Sequence, residues 1–144
     1  MGLPATVSDM LGGRPILRSA VDSPDAMIDL LREGLPIPAM DRTAQTLGLS
    51  AEETSHALGI PARTLARRRK DKYLKPHESD RLYRLALLAV HALHVFDDEE
   101  QAAGWFHDAI PALGGQTPVS LLDTEAGIRL VDEELGRIEH GIFA

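Results

Sequence analysis

The sequence predicts an all-α protein, with a helix-turn-helix near its centre and a small helical domain after it. Three observations carry that prediction. Apolar residues recur at helical spacing along most of the chain, while alternating runs of β-branched and aromatic residues, the mark of half-buried strands, are absent. Helix punctuation is dense: Ser23-Pro24, Ser50 with Glu53 three residues on, Gly59-Ile60-Pro61 and Thr117-Pro118 set capping and turn residues where helices start and stop. Charge is also segregated. The 144 residues carry net −7, yet residues 60–84 hold nine basic side chains against three acids, a local net of +6.

In chain order, the first 21 residues give weak signals, with one short helix from Ser8 and a turn at Gly12-Gly13. Ser23 caps a helix that has Pro24 at its first position, Met27, Leu30 and Leu31 along its apolar stripe, and Gly34 at its end. Leu35-Pro36-Ile37-Pro38 reads as a stiff connector. These opening 35 residues carry no functional motif, and packing or self-association is their expected role. A helix over residues 39–47 stops at Gly48. Ser50 and Glu53 form a capping box for a second helix, which runs to Gly59, and Pro61 opens a third that contains Leu65 and the arginines. Two short helices meeting at a glycine-bearing turn make a helix-turn-helix.

After Lys75-Pro76, the spacing of Leu82, Leu85, Ala86, Ala89, Leu93 and Phe96 keeps them on one face of a long core helix. A helix over residues 98–110 follows, closed by Pro111, and Gly114-Gly115 breaks the chain. Thr117-Pro118 starts a helical turn through Leu122. Asp123 or Thr124 caps the last helix, where Val131, Leu135 and Ile138 are expected to face the core. The expected division is residues 1–37 as an N-terminal segment and linker, 38–78 as the helix-turn-helix domain and 79–144 as the C-terminal helical domain.

A positive patch on an acidic protein engages a polyanion through one face only, because the remainder repels phosphate. In a helix-turn-helix the second helix enters the major groove, and residues near its start meet base edges. Here those are Arg63, Thr64 and Arg67. Arginine grips guanine O6 and N7 bidentately, so Arg63 and Arg67, four apart, are the candidate base readers. Arg68, Arg69, Lys70 and Lys72 are assigned to phosphates. Such proteins read paired half-sites, so a homodimer is expected.

The most specific text lies later: Ala102-x-x-Trp105-Phe106, then Pro111-Ala112-Leu113-Gly114-Gly115-x-Thr117-Pro118-x-x-Leu121-Leu122-Asp123-Thr124, then Arg137-Ile138-x-x-Gly141-Ile142-Phe143-Ala144. This resembles the toxin-binding domain of the Xre/MbcA/ParS antitoxins. Together with the helix-turn-helix, residues 39–144 resemble the Xre antitoxin of bacterial RES-Xre toxin–antitoxin pairs. The resemblance implies a protein that is no enzyme and needs no cofactor. It would neutralise a RES-domain toxin that degrades NAD, and repress its own operon by binding operator DNA, within a larger toxin–antitoxin complex. It also implies that the C-terminal end lies near the toxin's active site, which directs attention to Arg137, Glu139, Gly141, Ile142 and Phe143. From the residues alone, Ile142 and Phe143 either dock on their own domain or insert into a partner. The alternative function is a free-standing transcriptional regulator whose C-terminal domain dimerises it.

Other chemistry is discounted. The chain has no cysteine, which excludes disulfides and thiolate metal sites and suits a reducing compartment. No apolar run reaches the ~18 residues that a membrane span needs, so the expectation is a cytoplasmic protein. Met1-Gly2 with Thr6 fits a myristoylation pattern formally, but Pro4 interrupts it. His91-x-x-His94 lacks a glutamate at zinc-protease spacing, and no metal is expected. The run Asp97-Asp98-Glu99-Glu100 reads as a helix start that favours the dipole rather than as catalytic carboxylates.

Overall fold

Capping chemistry fixes most of the helix starts. In the computed structural model, which describes residues 4, 6–19 and 21–141, Thr6 Oγ1 accepts from the Asp9 N–H at the start of α1 (Val7–Met10), and α2 (Gly13–Leu17) follows it closely. The sequence foresees only one helix there. Met10, Leu11 and Leu17 lie in the core. Ser23 caps α3 (Pro24–Glu33), its Oγ accepting from Ala26 N–H at 3.1 Å.

The expected connector at residues 35–38 is built differently. Leu35 is fully buried, its N–H donates to Ser79 Oγ at 2.7 Å, and its carbonyl accepts from Leu74 N–H at 2.9 Å. Pro36 pairs with Tyr73 as an isolated bridge, and α4 (Ile37–Leu47) already starts at Ile37, where Pro38 fits because a first-turn N–H has no intrahelical partner. The segment is stitched to the far end of the basic stretch.

The capping box of α5 (Ala51–Leu58) is complete: Glu53 N–H donates to Ser50 Oγ at 3.1 Å and Ser50 N–H donates to Glu53 Oε1 at 2.9 Å. Gly59, at φ +65°, makes the left-handed turn that would cost other residues, Ile60 plugs the core, and Pro61 leads into α6 (Ala62–Asp71). Next comes α7 (Pro76–Phe96), the central strut, against which α1, α3, α4, α5, α8 and α9 all pack. Leu82, Leu85, Ala86, Ala89 and Leu93 are buried as expected and Phe96 is half-buried. The buried apolar residues form one cluster with members on both sides of the expected boundary between residues 78 and 79.

The helix expected over residues 98–110 is shorter. Asp98 Oδ1 accepts from the Glu100 and Gln101 N–H groups and starts α8 (Glu99–Trp105), so the acidic run serves the helix start. The helix stops at Trp105 because the Phe106 carbonyl accepts from Val119 N–H at 2.9 Å and Ile110 N–H donates to Gln116, bonds that a continued helix could not make. Two 3-10 turns, Pro111–Leu113 and Pro118–Leu121, lead to Thr124, whose Oγ1 caps α9 (Glu125–Glu139). Val131 and Leu135 are fully buried, and Ile138 is half-buried. No helix among the described residues is long and apolar enough to cross a membrane.

Candidate nucleic-acid interface and C-terminal partner surface

The helical turn sorts the cations of α6 into two sets. Arg63, Arg67 and Lys70, at steps of four and three, share the exposed face. Leu65 is buried and Arg68 lies beside it on the inward side, while Thr64 is half-buried.

Arg68 does not point to solvent as a phosphate ligand would. Its Nε donates to Glu78 Oε1 at 2.7 Å, and Asp71 lies 3.7 Å from its Nη1. Glu78 is a buried carboxylate that also accepts from Lys75 N–H at 2.8 Å, so it caps α7 while neutralising Arg68. Burial pushes the Glu78 carboxyl up, but Arg68 and the backbone N–H outweigh it and hold it below the usual carboxylate range. The hydrogen bond to Glu78 in turn raises the Arg68 guanidinium. Arg69 forks onto Asp41 of α4 at 3.0 and 3.3 Å. Two of the assigned phosphate ligands therefore have internal partners, one buried and one exposed. Glu78 was legible as an acid at the third position of a helix start, whereas nothing local pointed to Asp41.

Two further arginines of the basic stretch are engaged within the fold, and Arg81 bridges its two halves. Arg81 donates to the Ala57 carbonyl at 3.0 Å and to the Leu122 carbonyl at 2.7 Å, and Arg84 pairs with Glu125 and with Asp80. Of nine basic residues, this leaves Arg63, Arg67, Lys70, Lys72 and Lys75 exposed and without an ion pair among the described residues. Lys72 ends α6 in a left-handed conformation at φ +73°.

The C-terminal domain is fixed to the helix-turn-helix by more than Arg81. His107 Nε2 lies 3.1 Å from Glu53 Oε1, and its Nδ1 lies 2.9 Å from the Ala103 carbonyl. Trp105 packs between Phe96 and Phe106, with ring centroids 5.8 and 5.2 Å away. The loop through Gly114 and Gly115 is closed by Ile110 N–H to the Gln116 carbonyl and Gly115 N–H to the Ile110 carbonyl.

The positions expected to meet a partner divide. Arg137 is exposed and 3.6 Å from Glu134. Glu139 turns back onto α7, 3.1 Å from His91 Nε2 and 3.2 Å from His94 Nε2, while Asp132 lies 2.6 Å from His91 Nδ1. Burial disfavours charging His91, yet the two carboxylates outweigh it and raise its pKa above the ordinary histidine value. The His91 hydrogen bond lowers Glu139. Both ring nitrogens of His91 thus face carboxylates. No group of three or more histidine or acidic side chains among the described residues is placed to hold a metal ion. Gly141 is exposed at φ +68°, and Ile142 and Phe143 lie outside the described residues.

A family model described as the antitoxin Xre-like helix-turn-helix domain matches residues 26–87, and one described as the antitoxin Xre/MbcA/ParS C-terminal toxin-binding domain matches residues 91–141. "Antitoxin Xre" of Yersinia enterocolitica (serotype O:8 / biotype 1B) is 34% identical over 134 residues, covering 92% of this chain and 87% of that protein. This chain belongs to the Xre antitoxin family. "Antitoxin Xre" of Photorhabdus laumondii subsp. laumondii is 36% identical over 117 residues, 80% of this chain and 79% of its own. A third relative of the antitoxin, from Sphingobium sp. strain YBL2, is named "Prs ADP-ribosylating antitoxin" and is 27% identical over 132 residues, 85% and 83% of the two chains. The first match begins at residue 26 and so takes in most of α3 and the stitched segment at residues 35–38.

Proposed function

We propose that this antitoxin neutralises a RES-domain toxin that degrades NAD, acting by stoichiometric capture and not by catalysis, and that it represses its own operon as a cytoplasmic homodimer. One observation carries the DNA half: with Arg68 and Arg69 paired internally, the unpaired cations of α6 reduce to one face, Arg63, Arg67 and Lys70, with Arg63 and Arg67 near the helix start. Those two are the base readers. Lys70 and Lys72 contact phosphate, Arg69 reaches phosphate only by leaving Asp41, and Thr64 is near enough to the helix start to touch the backbone. Arg68 contributes by holding α6 against α7.

The toxin half rests on the C-terminal domain and on the relatives. The name of the Sphingobium protein refers to ADP-ribosylation, and ADP-ribose is drawn from NAD, which fits a toxin acting on that molecule. The contact surface is the end of α9 and the residues after it: Arg137, Gly141, Ile142 and Phe143, with Glu139 setting the angle at which the end leaves α7. Co-expression with a RES-domain toxin, followed by co-purification and an NAD assay, tests capture. Gel shifts with the promoter-proximal duplex test repression. Binding to DNA with no capture of any RES-domain toxin would instead support the free-standing regulator.

A further inference from the structure

We infer that the N-terminal segment is part of the DNA-contacting surface, with Arg18 as a phosphate ligand that works beside Lys72; this rests on the DNA-binding role proposed above. Sequence alone gives residues 1–35 no role. The fold brings the end of α2 to the far end of α6. There Arg18, Arg69 and Lys72 line one open recess of about 400 Å³ with Pro15, Pro36 and Tyr73, and no carboxylate lines it. An adjoining recess, which shares Arg18 and Tyr73, has Glu33 on its wall, but Glu33 makes no ion pair with Arg18. Asp41 offsets part of the Arg69 charge. Arg18 and Lys72 are exposed and have no ion pair among the described residues.

Position favours phosphate. When a recognition helix lies in the major groove, its far end comes out against the sugar–phosphate backbone, which makes that end the place for non-specific cation contacts. The recess opens there. Arg18 has φ +61° and Lys72 φ +73°, two of the three non-glycine residues with positive φ among the described residues. Each closes a helix, Arg18 at α2 and Lys72 at α6, where the left-handed conformation is common, so any replacement at Arg18 must tolerate it. A duplex backbone, with its repeated single negative charges, matches a surface of cations spread over two segments better than one small anion would.

The test is titration of the full chain with a random-sequence duplex at several salt concentrations, because phosphate contacts carry no sequence information. Arg18→Asn removes the charge and keeps a residue that tolerates positive φ, and Arg18→Lys keeps the charge. Wild type should show a steep linear fall of log K with log salt. Arg18→Asn should flatten the slope by about 0.9 and narrow the loss of affinity between 50 and 200 mM salt by about 3.5-fold, while Arg18→Lys keeps the wild-type slope. Unchanged helical circular dichroism shows that the variant is folded. An Arg18→Asn slope equal to wild type overturns the inference while the DNA role stands. Absence of salt-dependent binding by wild type overturns both.

Discussion

Two glycines of α9 should respond to the same substitution with opposite signs. A Cβ on Gly127 would sit 1.8 Å from the Leu121 carbonyl oxygen and 2.8 Å from its carbon, whereas a Cβ on Gly136 meets nothing within 4 Å. Ordinary contact at the first site would need a shift of roughly 1.5 Å. The carbonyl cannot give that much cheaply, because the turn that bears it is held by buried Val119 and Leu122. The cost should therefore lie near the upper end of overpacking, about 3 kcal/mol. At Gly136 the backbone is helical and the space is free, so alanine should stabilise by about 0.5–1 kcal/mol through lost freedom of the unfolded chain. At roughly 4 °C per kcal/mol for a chain of this size, Gly127→Ala should melt about 12 °C lower and Gly136→Ala about 2–4 °C higher. Thermal and urea unfolding followed at 222 nm measures both. A Gly127→Ala protein as stable as wild type would refute the close packing of α9 on the turn before it, and with it the fixed placement of the C-terminal helix.

Arg63→Ala and Arg67→Ala should each lose about 1–3 kcal/mol of preference for the operator over random duplex, read by gel shift. Both should still neutralise toxin. Arg68→Ala should behave in the reverse way: a lower melting temperature, with the ranking of DNA sequences unchanged, because its partner is Glu78 and not DNA. The raised pKa of His91 favours the folded state fully below the unfolded value of about 6.5 and fades as pH climbs through the folded value. Urea unfolding should then show His91→Gln least stable relative to wild type near pH 5.5, with the gap shrinking by pH 8.5. Deleting residues 141–144 should release NAD degradation by the toxin and leave operator binding and helix content intact, measured on one preparation.

Local signals were legible and remote pairings were not. Ser23, Ser50 with Glu53, Gly59 and Thr124 act within one turn of themselves, so their helix starts and stops were readable from neighbouring residues. The destinations of the arginines were hidden, because Arg69 meets Asp41 and Arg84 meets Glu125 across tens of residues. The sequence therefore assigns Arg68 and Arg69 to phosphates along with Lys70 and Lys72, although the fold ties them to Glu78 and Asp41. The end of α8 at Trp105 and the stitching of Leu35 to Ser79 and Leu74 were missed for the same reason: each depends on a hydrogen bond from a distant segment. Arg63 and Arg67, the two cations that the sequence places near the helix start, are exposed and have no ion pair among the described residues.

The 21-residue helix α7 has a mechanical consequence. At 1.5 Å per residue it is a rod of about 30 Å, with α6 anchored at its first turn through Glu78 and α9 clamped near its last turns through His91 and His94. Whatever is gripped at one end is held at a set distance and bearing from whatever is gripped at the other. Lengthening the rod by one residue would move its ends apart by about 1.5 Å and rotate them by about 100° relative to each other, so its length works like the tooth count of a gear. Because Arg81 and His107 also tie the halves side to side, such an insertion would have to break those bonds, so rod and side ties together hold one bearing.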